Sequence, residues 1–179
     1  TYNADGSGSY TYSDGSSGSW DAEGNGAYTN ADGSAGSYNI DGSGSWDDGQ
    51  GNVSTWGADG SGSNTWSDGS SESWSEDGSS TWTGSDGSSS TYNADGSGAW
   101  DDGQGNVSNW GADGSSSNTY ADGSSDSNDG QGGGTWDDGQ GNNSTWSADG
   151  SGSYTDTSGG SGSWNADGSG TWDDGQGNA

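Results

Sequence analysis

A glycine stands at every ninth position of this chain, from Gly6, Gly15, Gly24 and Gly33 through to Gly177, with no insertion and no exception. Glycine enters positive φ without steric cost, and Asp-Gly is among the strongest short turn signals. The residue before the glycine is acidic at Asp5, Asp14, Asp32, Asp41, Asp59, Asp68, Asp77, Asp86, Asp95, Asp113, Asp122, Asp149 and Asp167. Glu23, Gln50, Gln104, Gln131, Gln140, Ser158 and Gln176 take that place elsewhere. One turn per nine residues follows, in a single continuous array over residues 1–179.

A second period lies on top of the first. In alternate repeats an aromatic stands four residues before the glycine, at Tyr2, Trp20, Tyr38, Trp56, Trp74, Tyr92, Trp110, Trp146 and Trp164. In the intervening repeats it stands five before, at Tyr10, Tyr28, Trp46, Trp82, Trp100, Trp136, Tyr154 and Trp172. Asn64 and Asn118 interrupt the second series, and each is followed two residues later by an aromatic, Trp66 and Tyr120; Tyr12 takes the same offset, and Asn128 interrupts the first series. The word Trp-Asp-Asp-Gly-Gln-Gly-Asn begins at Trp46, Trp100, Trp136 and Trp172, always a whole number of nonapeptide pairs apart. The unit is therefore a pair of nonapeptides. Two short strands and two turns per pair predict an all-β fold, a narrow repetitive β-solenoid with two nine-residue repeats per 18-residue coil.

Composition limits what such an array can contain. Apart from Trp, Tyr and Ala, the apolar residues are Ile40, Val53 and Val107, too few for an aliphatic core. The aromatics must then supply any large hydrophobic gain. All of them fall on even residue numbers, so strand-like alternation places them on one face. Two arrangements fit: a stacked aromatic core inside the array, or an exposed strip that contacts another surface.

The charge excludes several classes of function. There are 28 acidic residues and no Lys, Arg or His, a formal net charge of -28. Nucleic-acid binding depends on basic residues releasing counterions, and an anionic membrane would repel the chain. No apolar run approaches a membrane span. Without His, Cys or Lys, the usual nucleophile and base pairs and the common zinc sites cannot be assembled, and paired carboxylates such as Asp47 and Asp48 recur as equivalents rather than as an acid and base of different pKa. The chain is expected not to be an enzyme.

The same charge raises a stability question. In a stacked coil, equivalent carboxylates about 4.8 Å apart repel by about 0.9 kcal/mol in water and about 3.5 kcal/mol at an effective dielectric of about 20. Calcium is the natural neutraliser, with the thirteen Asp residues that precede the repeat glycines as its candidate ligands. Here the chain resembles the RTX nonapeptide β-roll family, whose pattern is Gly-Gly-x-Gly-x-Asp-x-U-x. The resemblance covers the whole chain in period and departs in motif, since a unit such as Asp5-Gly6-Ser7-Gly8-Ser9 puts Asp before the glycines. It implies paired coils with calcium in the turns.

These features predict an extracellular or cell-surface structural protein, a segment of a self-assembling fibre or surface layer whose partners are other copies of itself. The alternative is an ice-binding or carbohydrate-binding solenoid whose regular flat face meets a polysaccharide or crystal surface. Thr11, Thr29, Thr65, Thr83, Thr119 and Thr155 form the row such a surface would use, interrupted by Asp47, Asp101, Asp137 and Asp173.

Overall fold

The computed structural model describes every residue from Thr1 to Ala179. The chain divides into two units, Thr1–Asp86 and Gly87–Ala179. The first holds Gly8–Thr11 (β1), Ser17–Trp20 (β2), Gly26–Thr29 (β3), Ala35–Tyr38 (β4), Gly44–Asp47 (β5), Val53–Trp56 (β6), Gly62–Thr65 (β7), Ser71–Trp74 (β8) and Ser80–Thr83 (β9). The second holds Ser89–Tyr92 (β10), Gly98–Asp101 (β11), Val107–Trp110 (β12), Ser116–Thr119 (β13), Ser125–Asn128 (β14), Gly134–Asp137 (β15), Asn143–Trp146 (β16), Gly152–Thr155 (β17), Ser161–Trp164 (β18) and Gly170–Asp173 (β19). There is no helix.

The all-β, narrow and repetitive architecture is the one the period dictates, but the path of the chain differs from a coil. Within each unit every strand pairs antiparallel with the next in sequence, as in β1 with β2 (Tyr10 opposite Gly18) and β11 with β12 (Gly98 opposite Trp110). The 18-residue unit is thus one strand up and one strand down in a single sheet. The likeness to paired calcium-binding coils is confined to the period.

The turn explains why. In residues 12–16 the Tyr12 N–H donates to the Ser16 carbonyl at 2.8 Å, and the Gly15 N–H donates back to the Tyr12 carbonyl at 3.1 Å. Gly15 has φ +96°. This is a type I turn closed by a left-handed glycine, a three-residue hairpin connection that reverses the chain within the sheet. The glycine is required by its backbone angle and not by space, since a Cβ at Gly15 or Gly69 would meet nothing within 4 Å. We expect Gly69→Ala to cost about 1–2 kcal/mol, the penalty of a left-handed L-residue, and Gly69→Asn to cost less, as read from urea melts of the intact chain.

Because the repeat length is odd and the direction alternates, the face-up position moves by one place from strand to strand. In the first unit the aromatic is third in the odd-numbered strands other than β7, where Asn64 takes the place, and fourth in even-numbered ones, which is the origin of the alternating spacing of five and four. Cross-strand partners share parity throughout, as in Gly8 with Trp20, Gly18 with Tyr28 and Gly26 with Tyr38. All strand aromatics therefore stand on one face of their sheet. The other face is mainly Ser and Thr, with hydroxyls meeting across strands at 2.7 Å in Ser37–Ser45 and Thr55–Ser63 and at 2.8 Å in Ser73–Thr81.

Within each unit no second layer covers either face, and no hydrophobic residue is buried. The chain exposes 10502 Å², against roughly 7,900 Å² for a compact monomer of this mass. Cohesion comes from ladder hydrogen bonds, turns that cap themselves, and aromatic rings lying on their own sheet.

Candidate aromatic binding face

The aromatics form two rows with different neighbours. In the first unit one row runs through Gly8, Trp20, Gly26, Tyr38, Gly44, Trp56, Gly62 and Trp74, each aromatic opposite a glycine. The ring folds down into the space the missing side chain leaves. A Cβ at Gly62 would lie 2.5 Å from Trp74 Cζ2, and the Trp74 indole N–H donates to the Gly60 carbonyl at 2.9 Å. Trp20, Trp56 and Trp110 make the same bond to Gly6, Gly42 and Gly96. Tyr2, outside the strands, joins this row opposite Gly8.

The second row runs through Tyr10, Gly18, Tyr28, Gly36, Trp46, Ser54, Asn64, Glu72 and Trp82. Trp46, Trp100, Trp136 and Trp172 of this series are 41 to 54 % exposed. With Tyr92, Trp146, Tyr154 and Trp164 they complete the predicted ladder, which lies on the surface and not in a core. A single layer has no interior in which to place it.

Each predicted acidic position occupies a turn of its own. In a typical case the Asp5 Oδ1 accepts from the Ser7 backbone N–H at 3.0 Å and from the Ser7 hydroxyl at 2.7 Å. The Ser7 hydroxyl, with the Ser7 N–H behind it, holds the Asp5 carboxyl below the usual carboxylate range. Asp41, Asp68 and Asp149 are held down in the same way by Ser43, Ser70 and Ser151. No three acidic side chains come together in one place. Equivalent turns on one edge are two strands apart, about 9.6 Å, so neighbouring carboxylates repel by about 0.4 kcal/mol in water, at a distance beyond the ~8 Å screening length of physiological salt. The crowding expected of a coil is therefore much reduced.

The turns without Asp before the glycine carry one two residues earlier. Asp48 accepts from the Gln50 N–H at 2.7 Å and the Asn52 N–H at 3.0 Å, and the Asn52 amide donates to its other oxygen. Asp21, Asp102, Asp129, Asp138, Asp156 and Asp174 accept from backbone in the same positions. The exchange of place is legible in the sequence, where each departure from Asp-Gly coincides with an Asp at the first turn position. The Trp-Asp-Asp-Gly-Gln-Gly-Asn turns also pack on their neighbours. A Cβ at Gly49 would lie 2.8 Å from the Gly33 carbonyl carbon, and the Asn52 Oδ1 accepts from the Ser67 N–H at 3.0 Å.

Three positions break the aromatic pattern, Asn64, Asn118 and Asn128, and the first two are followed two residues later by an aromatic. At the first, the Ser54 hydroxyl donates to Asn64 Oδ1 at 2.7 Å and the Asn64 amide donates to Glu72 Oε1 at 2.6 Å. At the second, the Asn118 amide donates to Asp126 Oδ2 at 2.9 Å, and the Tyr120 hydroxyl to Asp126 Oδ1 at 2.7 Å. That bond raises the Tyr120 pKa above its ordinary value. Glu72 and Asp126 are the only acids among the strand residues of the aromatic face. Neither stands out in the sequence, although parity alone places them there.

The Thr row proposed for a lattice surface lies on the opposite, hydroxyl face, at the last strand position of alternate strands. Thr65 and Thr119 stand there beside Val53 and Val107, and Asp47 and Asp101 pair with the same valines from the other side.

No protein-family model matches the chain, and no curated protein matches it. Among solved structures it resembles the TCP10 domain of Danio rerio CPAP in complex with a peptide of Danio rerio STIL, with a TM-score of 0.53 and 16 % identity over 96 % of this chain and 95 % of that one. It also resembles the G-box domain of the microcephaly protein CPAP, with a TM-score of 0.52 and 15 % identity over 94 % of this chain and 98 % of that one. At such identity the likeness is one of fold.

Proposed function

We propose that this chain is a non-enzymatic structural repeat protein that works as a binding scaffold, its aromatic face receiving an extended peptide segment. The observation that carries the reading is the placement of one aromatic on nearly every strand, within each unit on one face of its sheet, with none buried. An exposed aromatic strip of this extent marks an interface. Rings of both rows keep surface for contact, with Tyr38 47 % and Trp46 41 % exposed. A fold of this kind accompanies a bound peptide in the CPAP domain.

A second reading, assembly of copies through the same face, draws support from the charge distribution. The carboxylates sit mainly in the turns and the aromatic face carries few, as in interfaces with an apolar centre and a polar rim. Sedimentation across micromolar concentrations, together with binding to an immobilised array of short peptides, separates the two. The scaffold reading expects a monomer that binds a subset of peptides, with binding lost in Trp46→Ser/Trp100→Ser/Trp136→Ser while the melting temperature is kept. Concentration-dependent oligomers abolished by the same replacements would establish self-assembly and overturn it. A monomer that binds no peptide would overturn both.

A further inference from the structure

We propose that the interruptions of the aromatic face at Asn64 and Asn118 are receptors for basic side chains, one in each unit, and that the partner is therefore an Arg- or Lys-bearing peptide. The inference rests on the scaffold reading and adds the chemistry of the ligand.

In the first unit an open cleft of about 400 Å³ is lined by Trp66, Trp82, Asn52, Asp68 and Ser70. Its counterpart in the second unit, about 410 Å³, is lined by Tyr120, Asn106, Asp122 and Ser124. Asn52, Trp66, Asp68 and Ser70 become Asn106, Tyr120, Asp122 and Ser124 at one constant offset, a whole number of repeats. In both units the strand aromatic gives way to Asn, an aromatic moves out to the turn, and an acid appears on the aromatic face. Glu72 stands directly opposite Trp82, and Asp126 directly opposite Trp136. A departure made once in a regular array carries little information. The same three-part departure is made twice, and each time the acid of the aromatic face lies next to a cleft whose own lining includes a turn aromatic and a turn Asp, Trp66 with Asp68 and Tyr120 with Asp122.

Charge decides the occupant. An aromatic ring face beside a carboxylate attracts a cation through the ring quadrupole and through ion pairing. The chain has no Lys, Arg or His, so no side chain of its own can fill this role. The cation must come from the partner. Asn64 and Asn118 orient the acids by donating to one oxygen of each, and the Tyr120 hydroxyl, at the rim of the second cleft, donates to the other oxygen of Asp126.

Calorimetric titration of the full chain at about 0.15 M salt, where the screening length is about 8 Å, tests the proposal with two short capped peptides, one of alternating Ser and Arg and one of alternating Ser and Gln. Two Arg peptides are expected per chain, and the Gln peptide is expected to bind at least tenfold more weakly. Trp66→Ala/Glu72→Gln should reduce the stoichiometry to one, Tyr120→Ala/Asp126→Asn should do the same, and Glu76→Gln, an equal loss of charge in an exposed turn, should leave it at two. Equal weakening by Glu76→Gln and Glu72→Gln would reduce the effect to bulk attraction between opposite charges and overturn the proposal. Tight binding of the Gln peptide, lost in Trp46→Ser/Trp100→Ser/Trp136→Ser, would overturn the basic partner and leave the scaffold standing.

Discussion

Gly62→Ser is expected to destabilise the first unit by about 1–3 kcal/mol, the range for forcing extra atoms into a filled space, and to cost much less when made in a Trp74→Asn background. The new Cβ would lie 2.5 Å from Trp74 Cζ2 and 2.5 Å from the Thr55 carbonyl oxygen. Removing the indole relieves the first contact at the expense of the ring's burial and its bond to Gly60. The chain already contains the double replacement: at the equivalent place in the second unit, Ser116 stands opposite Asn128 in the same register. A thermodynamic cycle on the four proteins should give a coupling of at least about 1 kcal/mol, as for side chains in direct contact. In the second unit, Ser116→Gly with Asn128→Trp should raise the melting temperature, and Asn128→Trp alone should lower it. Additive effects in both cycles would mean that the rings do not depend on the glycines beneath them.

That pairing shows what the sequence could and could not reveal. The nine-residue turn, the all-β class and the common face of the aromatics follow from glycine spacing and parity alone. The sense of the turn does not. Asp-Gly closes a hairpin as readily as it rounds a solenoid corner, and the 18-residue unit describes both paths. The exclusion of a coil lies in the Tyr12–Ser16 type of closing bond and in Trp74 resting on Gly62, which couples adjacent strands across one hairpin. The aromatic face was legible as a set of residues, but inside and outside could not be separated, because that depends on whether a second layer exists. Glu72 and Asp126 were legible by parity and were hidden among 28 acids, most of which shape turns.

Acid should melt the protein from the turns inward. Ser hydroxyls and backbone N–H groups hold Asp14, Asp32, Asp59 and Asp122 below their ordinary value, and the Asn amides do the same for Asp48 and Asp102. A folded carboxylate that resists protonation makes the unfolded chain the stronger proton binder, so stability is full above the unfolded pKa near 3.8 and is lost as pH falls through the lower folded values. The melting temperature should be level from about pH 8 to pH 5 and drop steadily below about pH 4, with a slope set by how many turns take up a proton on unfolding. Relief of charge repulsion acts in the opposite direction. It is the weaker effect here, because same-edge carboxylates lie about 9.6 Å apart and are screened by salt, whereas each protonation replaces a charged acceptor in its own turn with a weaker neutral one. Asp68→Asn, which keeps an acceptor oxygen without the charge, should lower the neutral-pH melt slightly and flatten the acid limb; Asp68→Ala, which removes the acceptor as well, should lower it further at neutral pH. Calcium or chelator at constant ionic strength should move neither, since turn carboxylates such as Asp68, Asp48 and Asp129 are already engaged by donors of their own turns. A melting temperature that rises on acidification, or that depends on calcium, would assign the Asp residues to repulsion or to metal binding in place of turn closure.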